Sequence, residues 1–178
     1  SAASDVYKRH VQSKSLIELP KLPQILACEK DNVFENSKRL FLKISKKIIR
    51  TSILEAELIK LYSNANRYIN FAIANQLYTI CHLNNLNFKR VRNIMQDGYA
   101  RNLNLANAGF TAGPCLVKDT MQLKYFTRNS FSLGSAAMKV NENIPSLIID
   151  KLKMFKNYKS KKIGLLGLSF KGETDDIR

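Results

Sequence analysis

Between Ser52 and Leu83 the chain runs 32 residues without a proline or glycine, and Leu54, Leu58, Leu61, Ala65, Tyr68, Ala72 and Leu77 recur at steps of three to five. That spacing averages near the helical repeat and predicts one uninterrupted helix. Ser52-Ile53-Leu54-Glu55 supplies its start. In such a capping box the Ser hydroxyl accepts the Glu55 backbone N–H, and the Glu carboxylate reaches back to the Ser52 N–H. A helix of this length spans ~45 Å at about 1.5 Å per residue, well beyond the usual ~10–14 residues. Such an element bridges domains or builds an oligomer interface. Ile69, Ile73 and Ile80 on its far face favour the second role, a homodimer through Ser52–Leu83.

The segments on either side have a different character. Before Ser52, Pro20 and Pro23 break the chain, Gln24–Cys28 reads as a short buried strand, Phe34–Ser45 as a helix and Lys47–Thr51 as a second strand. This is α/β material, too little to close a sheet. After the long helix, Asn87 caps a shorter one that stops at Gly98, and a glycine- and asparagine-containing loop runs from Arg101 to Pro114. Helices follow from Cys115 to about Asn129 and from Ser132 to Asn143, and Pro145 opens another that continues from Leu147 to Phe155. Lys162–Phe170 reads as a β-strand with the glycine punctuation that opens a nucleotide-binding α/β domain. The expected fold is mainly α. A helical central domain (52–158) with its long helix is flanked by partial α/β pieces (1–51 and 159–178), so the sequence reads as an excerpt of a longer protein.

Composition narrows the function. The 178 residues carry 29 Lys+Arg against 14 Asp+Glu, a net charge of +15. The excess is diffuse: 11 basic and 5 acidic groups in residues 1–50, 10 and 6 in 51–150, 8 and 3 in 151–178. A nucleic-acid surface gathers its cations into a stripe, often with stacking aromatics between them, so nucleic acid is an unlikely partner. The densest run, Lys151–Lys162, is either a solvated face or a polyanion patch. Three widely spaced cysteines, Cys28, Cys81 and Cys115, argue against a disulfide framework and fit a reducing cytoplasm. With no CxxC and only two histidines, no zinc site is expected. There is no apolar run of the ~18 residues a membrane helix needs, and the first residues show no signal-peptide pattern.

Two segments carry chemistry. In Gly113-Pro114-Cys115-Leu116-Val117-Lys118-Asp119 a Gly-Pro turn delivers Cys115 to a helix start, where free N–H groups and the helix dipole favour a thiolate. Lys118 and Asp119, at i+3 and i+4, share the face of the sulfur. The set suits covalent catalysis, although a lone Cys there also serves as a small buried hydrophobe. In Lys60-Leu61-Tyr62-Ser63-Asn64 the Lys and Asn stand one turn apart on the long helix. They are either surface residues or a fixed ammonium and amide aimed at a site.

These segments occur in order with Glu57–Lys60, Ala108–Ala112, Gly164-Leu165-Leu166-Gly167-Leu168-Ser169-Phe170-Lys171 and Thr174–Arg178. The set resembles the UDP-glucose/GDP-mannose dehydrogenase family from about Tyr7 to the end, as a middle slice of a longer protein. The resemblance implies an N-terminal NAD-binding domain, a central domain with a dimerising helix and a C-terminal UDP-binding domain. It implies two NAD-dependent oxidations that take the C6 alcohol of a UDP-sugar, or another nucleotide-diphosphate sugar, to a carboxylate. Cys115 would form a thiohemiacetal and then a thioester. Lys60 and Asn64 would stabilise the oxyanion, and Asp119 would handle protons or position the hydrolytic water. Substrate contacts would fall to Lys118, Arg101, Phe110, Gly113 and Lys171.

Three departures qualify the expectation. Lys8 stands where the family has a Glu that assists the hydrolytic water, so either the first residues are foreign to the family pattern or hydrolysis is impaired. No GxGxxG occurs anywhere, so the NAD site is missing from these residues, which should be inactive alone. Ala112-Gly113-Pro114 precedes Cys115 where many UDP-glucose enzymes have Gly-Gly-Ser, which leaves the sugar open. The alternative reading is a helical oligomerisation module from a non-catalytic homologue.

Overall fold

The computed structural model describes residues 5–7, 19–111 and 114–166. It is mostly helical, at 64%. Contacts divide the described residues into two compact units, one up to Ser63 and the other from Asn64.

The first unit holds a small sheet in the order β1 (Asp5–Tyr7), β2 (Gln24–Ala27), β3 (Ile48–Thr51). β2 is central, antiparallel to β1 with Val6 opposite Leu26, and parallel to β3 with Ile25 opposite Ile49. All four β2 residues are buried, as expected where a strand is covered on both faces. The alternation of side chains shows how. Ile25 and Ala27 pack with Ile53, Ala56 and Ile59 of the long helix, whereas Leu26 and Cys28 pack with Val33, Phe34 and Phe41 of α1 (Asp31–Phe41). Outside the core, Arg50 donates to Asp31 at 2.5 Å and lies 4.6 Å from the centre of the Phe34 ring.

The long helix is α2 (Ile53–Leu83), 31 residues without a break. Its capping box forms: Ser52 N–H donates to Glu55 Oε2 at 2.8 Å, and Glu55 N–H donates to Ser52 Oγ at 3.3 Å. The Thr51 hydroxyl adds a further bond to the same carboxylate. These bonds, that from Thr51 foremost, hold the Glu55 carboxyl at a pKa of about 2, below its usual 4.5.

In the second unit, α3 (Phe88–Gln96), α4 (Pro114–Phe126), α5 (Ser132–Glu142) and α6 (Ile144–Lys153) accompany the rest of α2. Asn87 caps α3 by accepting the Arg90 N–H at 3.0 Å, and Gly98 beyond its end has φ +65°. The core joins Tyr68, Ile69 and Ala72 of α2 to Leu116 of α4 and Ala137 of α5. Gly134 is buried on α5, and a Cβ there would stand 2.3 Å from the Phe131 ring, so the close approach requires glycine.

Two expectations change. Ile69 is not on an open face: it is buried in this core, because Leu116 and Ala137 cover it, whereas Ile73 and Ile80 are 52% and 47% exposed. Lys162–Leu166 forms no strand. Nothing among the described residues pairs with it, and Leu165 and Leu166 are 84% and 102% exposed. The remainder of the expected strand lies outside the described residues. Within the lysine run, Lys151 donates to the Tyr78 hydroxyl at 2.8 Å and Lys153 to Asp150 at 3.0 Å. No described helix is long and apolar enough to cross a membrane.

Candidate active site

One face of α2 organises the site. Asn64, Tyr68 and Asn75, at steps of four and seven, fall on one side of the helix. Asn64 Nδ2 donates to Asp119 Oδ2 at 2.6 Å, joining α2 to the second turn of α4. The Asp119 side chain is only 1% exposed, and Lys118 Nζ stands 3.4 Å from its other oxygen. A carboxylate taken out of water needs such donors, since an unpaired buried charge is strongly unfavourable. Lys118 itself is 65% exposed, so its stem lies along the surface while its ammonium braces the acid.

Cys115 is exposed in the first turn of α4, one turn before Asp119, whereas Cys28 and Cys81 are buried. Lys60 is exposed on α2, one turn before Asn64. Arg101 lies in the short 3-10 turn Ala100–Asn102, its guanidinium 6.0 Å from the centre of the Tyr99 ring. Phe110 is 61% exposed at the far end of the same loop. The structure therefore brings Asn64, Asp119 and Lys118 together beside the Cys115 turn, and sets Arg101 and Phe110 on the surface of the loop. Gly113, Lys171 and Lys8 lie outside the described residues.

Sequence reasoning missed the residues that hold that loop. Arg92 of α3 donates through Nε to the carbonyls of Leu105 and Ala106 at 3.1 and 3.0 Å, and through a terminal nitrogen to Leu105 at 2.7 Å. Gln96 reaches the carbonyls of Asn102 and Leu103 at 3.1 and 3.0 Å. On α2, Asn75 is fully buried and bonds both backbone groups of Gly109: Nδ2 donates to Gly109 O at 3.0 Å, and Gly109 N–H donates to Oδ1 at 2.8 Å. Asn75 Nδ2 also donates to Asn141 Oδ1 at 2.8 Å, and Asn141 Nδ2 donates to Tyr68 O at 3.1 Å. The Tyr68 phenol is pushed up from its usual 10.0, chiefly by burial, against the opposing hydrogen bonds of Asn141 and Thr111. The signal was present in the sequence as a polar Asn75 among Ala72, Ala74 and Thr79 on a helix that otherwise buries apolar groups.

Residues 54–143, about half of the chain, match the family described as UDP-glucose/GDP-mannose dehydrogenase family, central domain. The chain belongs to this dehydrogenase family. Among its relatives, UDP-glucose 6-dehydrogenase YwqF of Bacillus subtilis is 34% identical over 136 residues, covering 74% of this chain and 31% of the relative. UDP-N-acetyl-D-mannosamine dehydrogenase of Campylobacter jejuni is 30% identical over 131 residues, covering 73% and 32%. The chain thus spans about a third of the length of the curated relatives it matches. The structure of the UDP-N-acetyl-mannosamine dehydrogenase Cap5O from Staphylococcus aureus superposes with a TM-score of 0.82 at 29% identity, over 99% of this chain and 42% of that one.

Members of the family are NAD-dependent dehydrogenases. The β2–α1 turn, Cys28-Glu29-Lys30, leads into a helix from a parallel strand, where a dinucleotide would bind. It has no glycine to let the backbone approach a pyrophosphate, and Asp31 in the first turn of α1 repels an anion. These residues do not fit NAD.

Proposed function

We propose that these residues form the thiol half of the active site of a dehydrogenase that oxidises the C6 alcohol of a UDP-glucose-type nucleotide sugar to a carboxylate. The observation that carries the reading is the 2.6 Å bond from Asn64 to the buried Asp119, one helical turn from an exposed Cys115. At the aldehyde level the thiol adds across the C6 carbonyl: the S–C bond forms, the carbonyl π bond breaks, and the thiol proton passes to oxygen. Asn64 has a second amide N–H besides the one given to Asp119, and Lys60 adds an ammonium on the same helix, so both suit a developing oxyanion. Later, water attacks the thioester carbonyl, the C–S bond breaks, and Asp119 takes the water proton while the thiolate leaves. Lys118, Arg101, Phe110, Gly113 and Lys171 would contact the nucleotide sugar. Oxidation itself is the work of NAD bound elsewhere, so the 178 residues alone give no turnover. We extend the reading to a division of the chain at 51/52 and 158/159 and to a cytoplasmic location.

Alkylation of the folded chain tests the thiol's role. Cys115 is expected to take up iodoacetamide at least about 10-fold faster than an unstructured cysteine peptide at neutral pH, with Cys28 and Cys81 unlabelled. Equal rates would favour a non-catalytic helical module.

We further propose pairing of two copies through α2. Ile73, Ile80, Leu133 and Val140 line an apolar groove of about 350 Å³ between α2 and α5. Burying one such side chain contributes roughly 1.5–3 kcal/mol. Ile73→Glu, which places a charge in that groove, is expected to turn a dimer into a monomer in sedimentation velocity. An unchanged mass would remove the groove from the interface.

A further inference from the structure

We infer that Asn75 is the positioning residue that sets the loop feeding Cys115, a role that rests on the reading of that loop as part of the active site. The geometry is unusual for a helix residue. A buried side-chain amide pairs with Gly109 as one peptide group pairs with another in a sheet, through N–H···O bonds of 2.8 and 3.0 Å. Both backbone groups of one loop residue are thereby fixed, which leaves that peptide little freedom to translate. Gly109 has φ +154°, in the region that L side chains rarely adopt, so the position accepts this pairing because it is glycine.

The same helix face also meets α4. Asn75 meets Gly109, and Asn64 meets Asp119. The contact with Gly109 therefore lies nearer the C-terminus of α2 than the contact with α4, and the two anchors are about 16 Å apart along the helix at about 1.5 Å per residue. Asn75 is the far anchor. Five residues separate Gly109 from Cys115, and Phe110 follows Gly109 directly, so a shift at Gly109 moves the aromatic ring and changes the approach to the thiol. The Gly109 C=O and N–H themselves fix which way the Asn75 amide points, and Asn141 Oδ1 takes a further bond from Asn75 Nδ2.

Amide hydrogen exchange and Cys115 alkylation, measured on the same 178-residue chain, test the role. In Asn75→Ala, exchange at Gly109 is expected to rise about 100-fold beyond the change at the central α2 amides, which report the global stability. The alkylation rate of Cys115 should shift by at least about 3-fold. Asn141→Ala loses part of the same buried network but keeps the Asn75–Gly109 bonds, and it should leave both readouts near wild type once global stability is subtracted. Should the Ala variant fail to fold, Asn75→Asp keeps an acceptor for the Gly109 amide. It should retain most of the Gly109 protection while altering Cys115 reactivity. Gly109 exchange that rises only in step with α2, or a Cys115 rate that ignores Asn75, overturns the proposal. A wild-type Cys115 no faster than a free peptide thiol, with Gly109 still dependent on Asn75, would instead count against the catalytic reading.

Discussion

Asn64→Leu is expected to destabilise the fold by roughly 2–3 kcal/mol, the cost of removing a hydrogen-bond donor from a buried acceptor that carries charge. For a chain of this size each kcal/mol lowers the melting temperature by about 2–4 °C, so the loss is readable in a thermal scan. The expectation depends on Asp119 being only 1% exposed and on its 2.6 Å bond to Asn64. Asp119→Leu should be destabilising for the complementary reason, leaving the Asn64 amide without its acceptor. The double variant replaces both partners with apolar groups and should lose much less than the sum of the two, with a coupling of about 1–3 kcal/mol. Additive losses would mean that the two side chains contribute independently, and the pair would no longer stand as the structural centre of the site.

Much of this arrangement was legible in the sequence. The break-free run from Ser52 and its capping box define α2, and the structure places the helix at Ile53–Leu83 with both capping bonds formed. Gln24–Cys28 was legible as a short buried strand from its apolar run Ile25–Cys28, and the structure places β2 at Gln24–Ala27. Where reading failed, the cause was tertiary. Ile69 and Ile73 are equivalent in sequence terms, and only the arrival of Leu116 and Ala137 buries one and leaves the other open. Lys162–Leu166 has the composition of a strand but no neighbour among the described residues to supply ladder bonds. For the site, spacing within one helix identified Lys60 with Asn64 and Cys115 with Asp119. The bonds from Asn75 to Gly109 and from Arg92 to Leu105 join residues 34 and 13 positions apart. No local pattern encodes such pairs.

Cys115→Ser is expected to remove the rapid alkylation of the folded chain altogether, since the other two cysteines are buried. That result locates the thiol but leaves its chemistry open. The direct test presents the thiol with the group it should attack. The 6-aldehyde of UDP-glucose, added without NAD, converts a nucleophilic Cys115 into a thiohemiacetal that iodoacetamide cannot reach. At saturation it should slow labelling at least about 10-fold. UDP-glucose, with an alcohol at C6, should protect far less, and acetaldehyde at the same concentration should not protect. In Asn64→Leu the aldehyde's protection should weaken, because the oxyanion loses a donor. A labelling rate indifferent to the aldehyde would contradict the account and leave Cys115 as an exposed thiol on a helical module.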